Sequence, residues 1–206
     1  KVIQSDIGQQ LLAEGEPVGL HGLCYYDAGA RSFYTISNPI MTPSDLQGLK
    51  IRVQKSKTAM DMVEALGGSP TPIPWGELYT ALQQKMVDGA ENNPPSFYTN
   101  RHFEVCKHLT LDEHARVPDL LLMSQKVWES LPPHVQQAVQ EAANESSIYQ
   151  RKLWQQKSKE ALQAVEQEGV HVYYPDKTIF AEQVSAMRAS YDGTSVGELL
   201  RRIQEM

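Results

Sequence analysis

The chain has 206 residues, 41% of them hydrophobic, with 25 acidic against 19 basic residues and a formal net charge of −6. That length holds one large or two modest domains, and an acidic balance with no basic stripe argues against nucleic acid as a partner. No apolar run nears the roughly 20 residues a helix needs to cross a bilayer; the longest, Leu120-Leu121-Leu122-Met123, is strand-sized, so no membrane segment is expected.

Lys1-Val2-Ile3-Gln4 has neither the apolar stretch nor the small-residue cleavage site of a signal peptide. Ser5-Asp6 ahead of Ile7, Leu11 and Leu12 reads as a short capped helix closed by Gly15 and Pro17. Leu20 to Tyr26 reads as a strand running into a turn at Asp27-Ala28-Gly29. The Ser44-Asp45-Leu46 segment leads through Gly48 to Leu49-Lys50-Ile51-Arg52-Val53, whose alternation marks a second strand. Thr58 to Leu66 has helical spacing and stops at Gly67-Gly68. Three prolines between Gly68 and Pro74 force that stretch to be extended, with Trp75 at its end. Glu77 to Val87 predicts a helix, Ala90-Glu91-Asn92 a short strand, and Pro94-Pro95 a stop. This alternation of strand and helix is α/β organisation.

Glu104 to Leu111 and Leu120 to Ser124 are further strand candidates. Pro132-Pro133 opens a helical stretch, about 132–168, closed by Gly169. At 1.5 Å per residue it reaches about 50 Å, so it either kinks or lies across two lobes. Val170 to Tyr174 predicts a strand, and two helices, about 179–191 and 196–206, finish the chain. Cys24 and Cys106 are compatible with one disulfide or with two buried thiols, the second being the plainer reading.

No nucleophile elbow, phosphate loop, CxxC or HExxH motif is present, and the six histidines are scattered, so neither a metal nor a cofactor is expected. Arg52, on a short strand, suits a bidentate grip on a carboxylate, or a structural ion pair with Asp61, Glu64 or Glu91. Trp75 suits a pocket wall or core. Glu91-Asn92-Asn93-Pro94-Pro95 concentrates polar groups where a strand ends, the usual ligand edge of an open α/β sheet, or else forms an ordinary rigid turn.

In order along the chain stand Gly29-Ala30-Arg31, Asp45 to Val53, Ala65-Leu66-Gly67-Gly68-Ser69-Pro70-Thr71-Pro72, Glu77 to Gln83, and Val87-Asp88-Gly89-Ala90-Glu91-Asn92. Together these segments resemble the DctP family of TRAP solute-binding proteins, and the resemblance continues through the long helix. It implies a two-lobed, periplasmic-binding-protein-like α/β fold with a long lobe-spanning helix. Residues 1–26 would be a remnant of lobe one with a crossover strand, 27–115 a complete ligand-binding lobe two, and 116–206 the return to a partial lobe one. Family members begin with a signal peptide and the first strands and helices of lobe one, which do not precede this match.

The resemblance makes Arg52 the principal carboxylate ligand, with Asn92 beside it; Arg31, Trp75 and His114 complete the implied site. It implies a periplasmic binding protein that is not an enzyme and delivers a small organic acid to TRAP membrane permease subunits. The Asn92 to Tyr98 segment with Leu111-Asp112-Glu113-His114 looks most like members that take sugar acids such as hexuronates; a C4-dicarboxylate or another organic acid is the alternative. Two readings of other classes stand beside it. One is an enzyme on a similar scaffold, for which His114 near Glu113 is the only acid–base candidate. The other is the effector-sensing domain of a regulator.

Overall fold

The structure, a computed structural model, describes residues 2–206. In chain order it contains helix α1 (Asp6–Ala13), strands β1 (Leu20–Tyr26), β2 (Ala30–Thr35) and β3 (Lys50–Val53), helix α2 (Lys57–Ala65), strand β4 (Ser69–Pro72), helix α3 (Leu78–Gln83) and strand β5 (Gly89–Asn92). Helix α4 (Pro94–Thr99), strands β6 (His108–Arg116) and β7 (Asp119–Ser124), and helices α5 (Gln125–Ser130) and α6 (Pro133–Gln167) follow. Strand β8 (His171–Tyr173) and helices α7 (Lys177–Gln183), α8 (Ser185–Ala189) and α9 (Ser195–Gln204) complete it.

Several departures from the sequence reading have local causes. Pro94-Pro95 does not stop the chain. It starts α4, because Asn93 accepts a hydrogen bond from Ser96 N at 2.8 Å as the N-cap and the prolines fill the first turn, where no backbone N–H is needed. The strand expected from Glu104 begins only at His108, because Arg101 takes a left-handed conformation and residues 102–104 form a 3₁₀ turn. β2 carries no alternation to read because it is central and buried on both faces. The 179–191 helix is divided at Val184 into α7 and α8. Cys24 and Cys106 are free, buried thiols.

The chain divides into two compact units. One comprises residues 2–28, Val117–Gln156 and Thr194–Met206. There β1 and β7 pair antiparallel, and Leu23, Cys24 and Ala143 form the core with Leu121, Met123 and Trp128. Side chains of α6 tie its first half to β1: Gln140 Nε2 donates to Leu23 O and Ser147 Oγ to Tyr25 O, while Gln150 bonds both backbone groups of Asp27.

The other unit comprises Gly29–Arg116 and Lys157–Gly193 and is built on a six-stranded sheet in the order β4-β3-β5-β2-β6-β8. β3 runs parallel to β4 and β5, β2 runs antiparallel to β5 and β6, and β8 runs parallel to β6. Both faces are covered, and consecutive residues of β2 supply both cores. Tyr34 packs with Leu82, Phe97, Leu109 and Val165 on one side, and Phe33 with Leu46, Ile51, Val63 and Phe180 on the other. Because β2 alone among the central strands is reversed, its first residues lie at the same edge of the sheet as the last residues of β3, β5 and β6. That edge is where the polar residues gather.

Candidate functional site

Arg52 stands on β3 in register with Ala90 of β5, which is itself opposite Tyr34 of β2. The row places Arg52 beside Tyr34 on one face, and its side chain is 2% exposed. Nε donates to Ile73 O at 2.9 Å, whereas Nη1 is buried without a hydrogen-bond partner. None of the carboxylates open to Arg52 from sequence forms a salt bridge with it among the described residues: Asp61 bonds Lys57 at 2.5 Å and Glu91 is held by Arg31. Burial lowers the Arg52 pKa, with Tyr34 and Glu91 opposing the shift. Nη1 is thus a guanidinium donor that no group of the protein engages, and a guanidinium fork suits a carboxylate.

Trp75 follows the extended β4 segment and is 38% exposed. Its ring centroid is 5.3 Å from Arg52 Cζ, and it meets His102 edge-on at 5.2 Å. His102 is fully packed and pairs through Nδ1 with Tyr34 OH at 2.9 Å. Burial, helped by the Arg52 charge, lowers its pKa to about 4, so at neutral pH it adds no charge to the site.

Asn92 is the last residue of β5 and is 6% exposed. Its Oδ1 accepts from Asn93 N at 2.8 Å and from Arg31 Nη1 at 3.2 Å, which commits the oxygen and leaves the amide NH₂ as the donor. Arg31, at the start of β2, closes on Glu91 in a two-pronged ion pair. Nε bonds Oε2, Nη2 bonds Oε1 at 2.8 Å, and Nη2 also donates to the Glu91 carbonyl at 3.0 Å.

Behind Glu91 lies a bulge. Between Arg31↔Ala115 and Phe33↔Thr110 the register shifts, so β6 carries extra residues opposite Ser32. Glu113 takes φ 50° and turns out to Lys177 and Arg116, at 2.9 and 3.0 Å. The His114–Glu113 pair that the alternative enzyme reading would need is therefore not formed. His114 turns inward instead, its side chain 3% exposed, with Nδ1 2.6 Å from Asp112 Oδ2 and Nε2 3.5 Å from Glu91 Oε2. Burial opposes a charge on this ring, but Asp112 and then Glu91 outweigh it and raise its pKa to about 9. Burial likewise opposes the Glu91 charge, and His114 and Arg31 overcome it and lower its pKa.

The sheet edge thus brings Arg52, Asn92, Arg31 and Trp75 together, with His114 one layer behind. The sequence reading passed over Tyr34 and His102, and it named Glu91 and Asp112 only within longer segments, without a role of their own in the site. For Asp112 a signal existed, since a polar Asp-Glu-His run inside a strand is unusual; for His102 there was none. Three cations, Arg31, Arg52 and His114, face two carboxylates, Glu91 and Asp112, leaving one positive charge uncompensated. Among the described residues no group of three or more His, Cys, Asp and Glu is arranged to hold a metal ion. A separate surface pocket lined by Thr35, Asn38, Thr42, Asp45 and Asp88 has its carboxylates engaged with backbone, Asp45 with Met41 N and Thr42 N, and Asp88 with Lys50 N.

Comparison with known proteins gives this geometry relatives. A Bradyrhizobium TRAP periplasmic solute-binding protein, solved in complex with D-galacturonate, is 43% identical with a TM-score of 0.93, covering 100% of this chain and 69% of that one. One from Chromohalobacter salexigens with bound D-glucuronate is 31% identical with a TM-score of 0.96, covering 99% and 69%. The 2,3-diketo-L-gulonate-binding periplasmic protein YiaO of Escherichia coli is 33% identical over 172 residues, which are 84% of this chain and 52% of YiaO. The chain thus spans about half the length of some curated relatives, and 63% of a Haemophilus influenzae one. The family model for bacterial extracellular solute-binding proteins, family 7, matches residues 1–195. On that match, with its architecture in agreement, the chain belongs to the DctP family of bacterial extracellular solute-binding proteins.

Proposed function

We propose that this chain forms the carboxylate-binding part of a periplasmic solute-binding protein that captures a sugar acid, a hexuronate in the first instance, and presents it unchanged to TRAP permease subunits. The observation that carries the reading is the buried, unpartnered Nη1 of Arg52 at the carboxyl edge of the sheet. Arg52 takes the ligand carboxylate, Asn92 and Arg31 donate beside it, and Trp75 provides an apolar wall for a sugar ring. Solved relatives holding D-galacturonate and D-glucuronate support the same class, and relatives named as periplasmic binding proteins support the compartment.

The test is calorimetry of the full-length protein against D-galacturonate, D-glucuronate and succinate, followed by recovery of the ligand. Saturable one-to-one binding of a uronate, with the acid recovered intact, is the expected result. Conversion of the acid to a product would move the protein to the enzyme class, and preference for succinate would overturn the sugar-acid assignment. Fractionation of the full-length protein to the cytosol would overturn transport.

A further inference from the structure

We propose that His102 is a positioning residue for the sugar wall: held by Tyr34, it props the Trp75 indole in the orientation that covers Arg52 and presents a face to the ligand. This rests on the functional reading above. All four residues belong to the unit built on the six-stranded sheet. Tyr34, on the central strand β2 and wholly buried, supplies the fixed point. Its hydroxyl pairs with His102 Nδ1 at 2.9 Å, and the two rings lie 5.6 Å apart between centroids. The His102 backbone is pinned as well, its carbonyl accepting from Val105 N at 3.1 Å and from Cys106 N at 2.9 Å. From there the imidazole meets Trp75 at 5.2 Å with 65° between the ring planes, an edge-to-face contact.

Trp75 is partly open to solvent and turns about two side-chain bonds, so the plane of its ring is set by what packs on it. Two groups do so: the Arg52 guanidinium under its face, at 5.3 Å, and the His102 ring against it. Attraction to the cation draws the indole over the guanidinium, and the near-perpendicular packing on His102 sets its tilt. A histidine suits that place in its neutral form. A ring nitrogen satisfies the buried Tyr34 hydroxyl, which an apolar side chain would leave unpaired. Burial, helped by the Arg52 charge, lowers the ring's pKa to about 4, so it sets no second cation against the guanidinium. Glu104, two residues on, is engaged at the surface by Tyr79 and Arg101.

The test is a double-mutant cycle on the full-length protein with D-galacturonate, joined to NMR relaxation of the Trp75 indole Nε1–H without ligand. His102→Leu binds about threefold more weakly than wild type, the scale of one aromatic pair and within the roughly fivefold loss expected for Trp75→Ala. In a Trp75→Ala background the same change costs nothing further, because His102 acts only through the indole. Without ligand, the order parameter of Trp75 Nε1–H is that of a rigid group in the wild type, about 0.85, and falls toward about 0.6 in His102→Leu and in Tyr34→Phe, which removes only the hydroxyl. An equal loss of affinity with and without Trp75 would mean that His102 supports the fold or touches the ligand itself, and it overturns the proposal. So does an order parameter that stays at its wild-type value in either variant. Tyr34→Phe decides the matter if His102→Leu fails to fold. If no sugar acid binds, the functional reading fails, while the ligand-free order parameters still decide the positioning role.

Discussion

The indole of Trp75 lies over the guanidinium of Arg52, with 5.3 Å between Cζ and the ring centroid. The ring is partly open to solvent while the arginine beneath it is sealed. Trp75 thus covers the charge and still offers surface to a ligand. Removing it with Trp75→Ala weakens uronate binding by about 1 kcal/mol, roughly fivefold, through loss of the cation–π contact and the apolar wall. Trp75→Phe retains most of the affinity. Calorimetry on the two variants checks the order, and equal losses would show that the indole N–H rather than the ring face matters.

Arg52 itself is expected to show opposite effects on binding and on stability. Arg52→Ala costs roughly 2 to 5 kcal/mol of binding, because the ligand carboxylate enters a dry site with no fork to meet it. Arg52→Lys keeps the charge but loses the bidentate geometry, and it also binds weakly. Arg52→Met, by contrast, removes a buried charge whose Nη1 has no partner, so the ligand-free protein is at least as stable as wild type in urea. Binding within about twofold of wild type for Arg52→Ala, about 0.4 kcal/mol, would make Arg52 a structural residue.

Stability of the ligand-free protein should crest near neutrality. His114 has its pKa raised from 6.5 to about 9, so its contribution is complete below pH 6.5 and is lost as the pH rises through about 9. His102 has its pKa lowered from 6.5 to about 4, so its contribution is complete above pH 6.5 and is lost as the pH falls through about 4. Each shift corresponds to on the order of 3 kcal/mol. Urea midpoints measured across this range should fall on both sides, and His114→Gln should flatten only the alkaline side. A midpoint unchanged between neutral pH and pH above 9 would refute the charged-ring assignment.

Gly89 opens β5, the strand that ends in Glu91 and Asn92. A Cβ there would lie 2.4 Å from Tyr34 O and 2.8 Å from the Thr35 methyl. The obstacle is largely backbone of the paired strand, so it cannot move aside as a side chain would. Gly89→Ala should destabilise by about 1 to 3 kcal/mol or more and weaken uronate binding with it, because β5 shifts against β2. Thermal unfolding gives the first effect and calorimetry the second; a wild-type melting temperature would show that the strands part at little cost.

The sequence by itself determined the elements whose signals are local. Glycine and proline punctuation set the ends of α2 and the extended β4, and β1 and the long α6 follow their residue patterns because helix and strand propensity act within a few residues. It also placed Arg52 and the Glu91–Asn92 stretch at strand ends, where a local pattern can be read, while the choice of Arg52 and Asn92 as carboxylate ligands came from the family resemblance. Only the tertiary structure decided what those residues face. β2 is reversed among its neighbours and buried on both sides, so its burial is written in the packing of Phe33 and Tyr34 and not in any alternation. The bulge in β6 swings Glu113 out and His114 in, a choice fixed by the extra residues opposite Ser32. The partnership of Arg31 with Glu91 spans 60 residues of chain, and charges that far apart in sequence find each other only when the sheet sets them side by side.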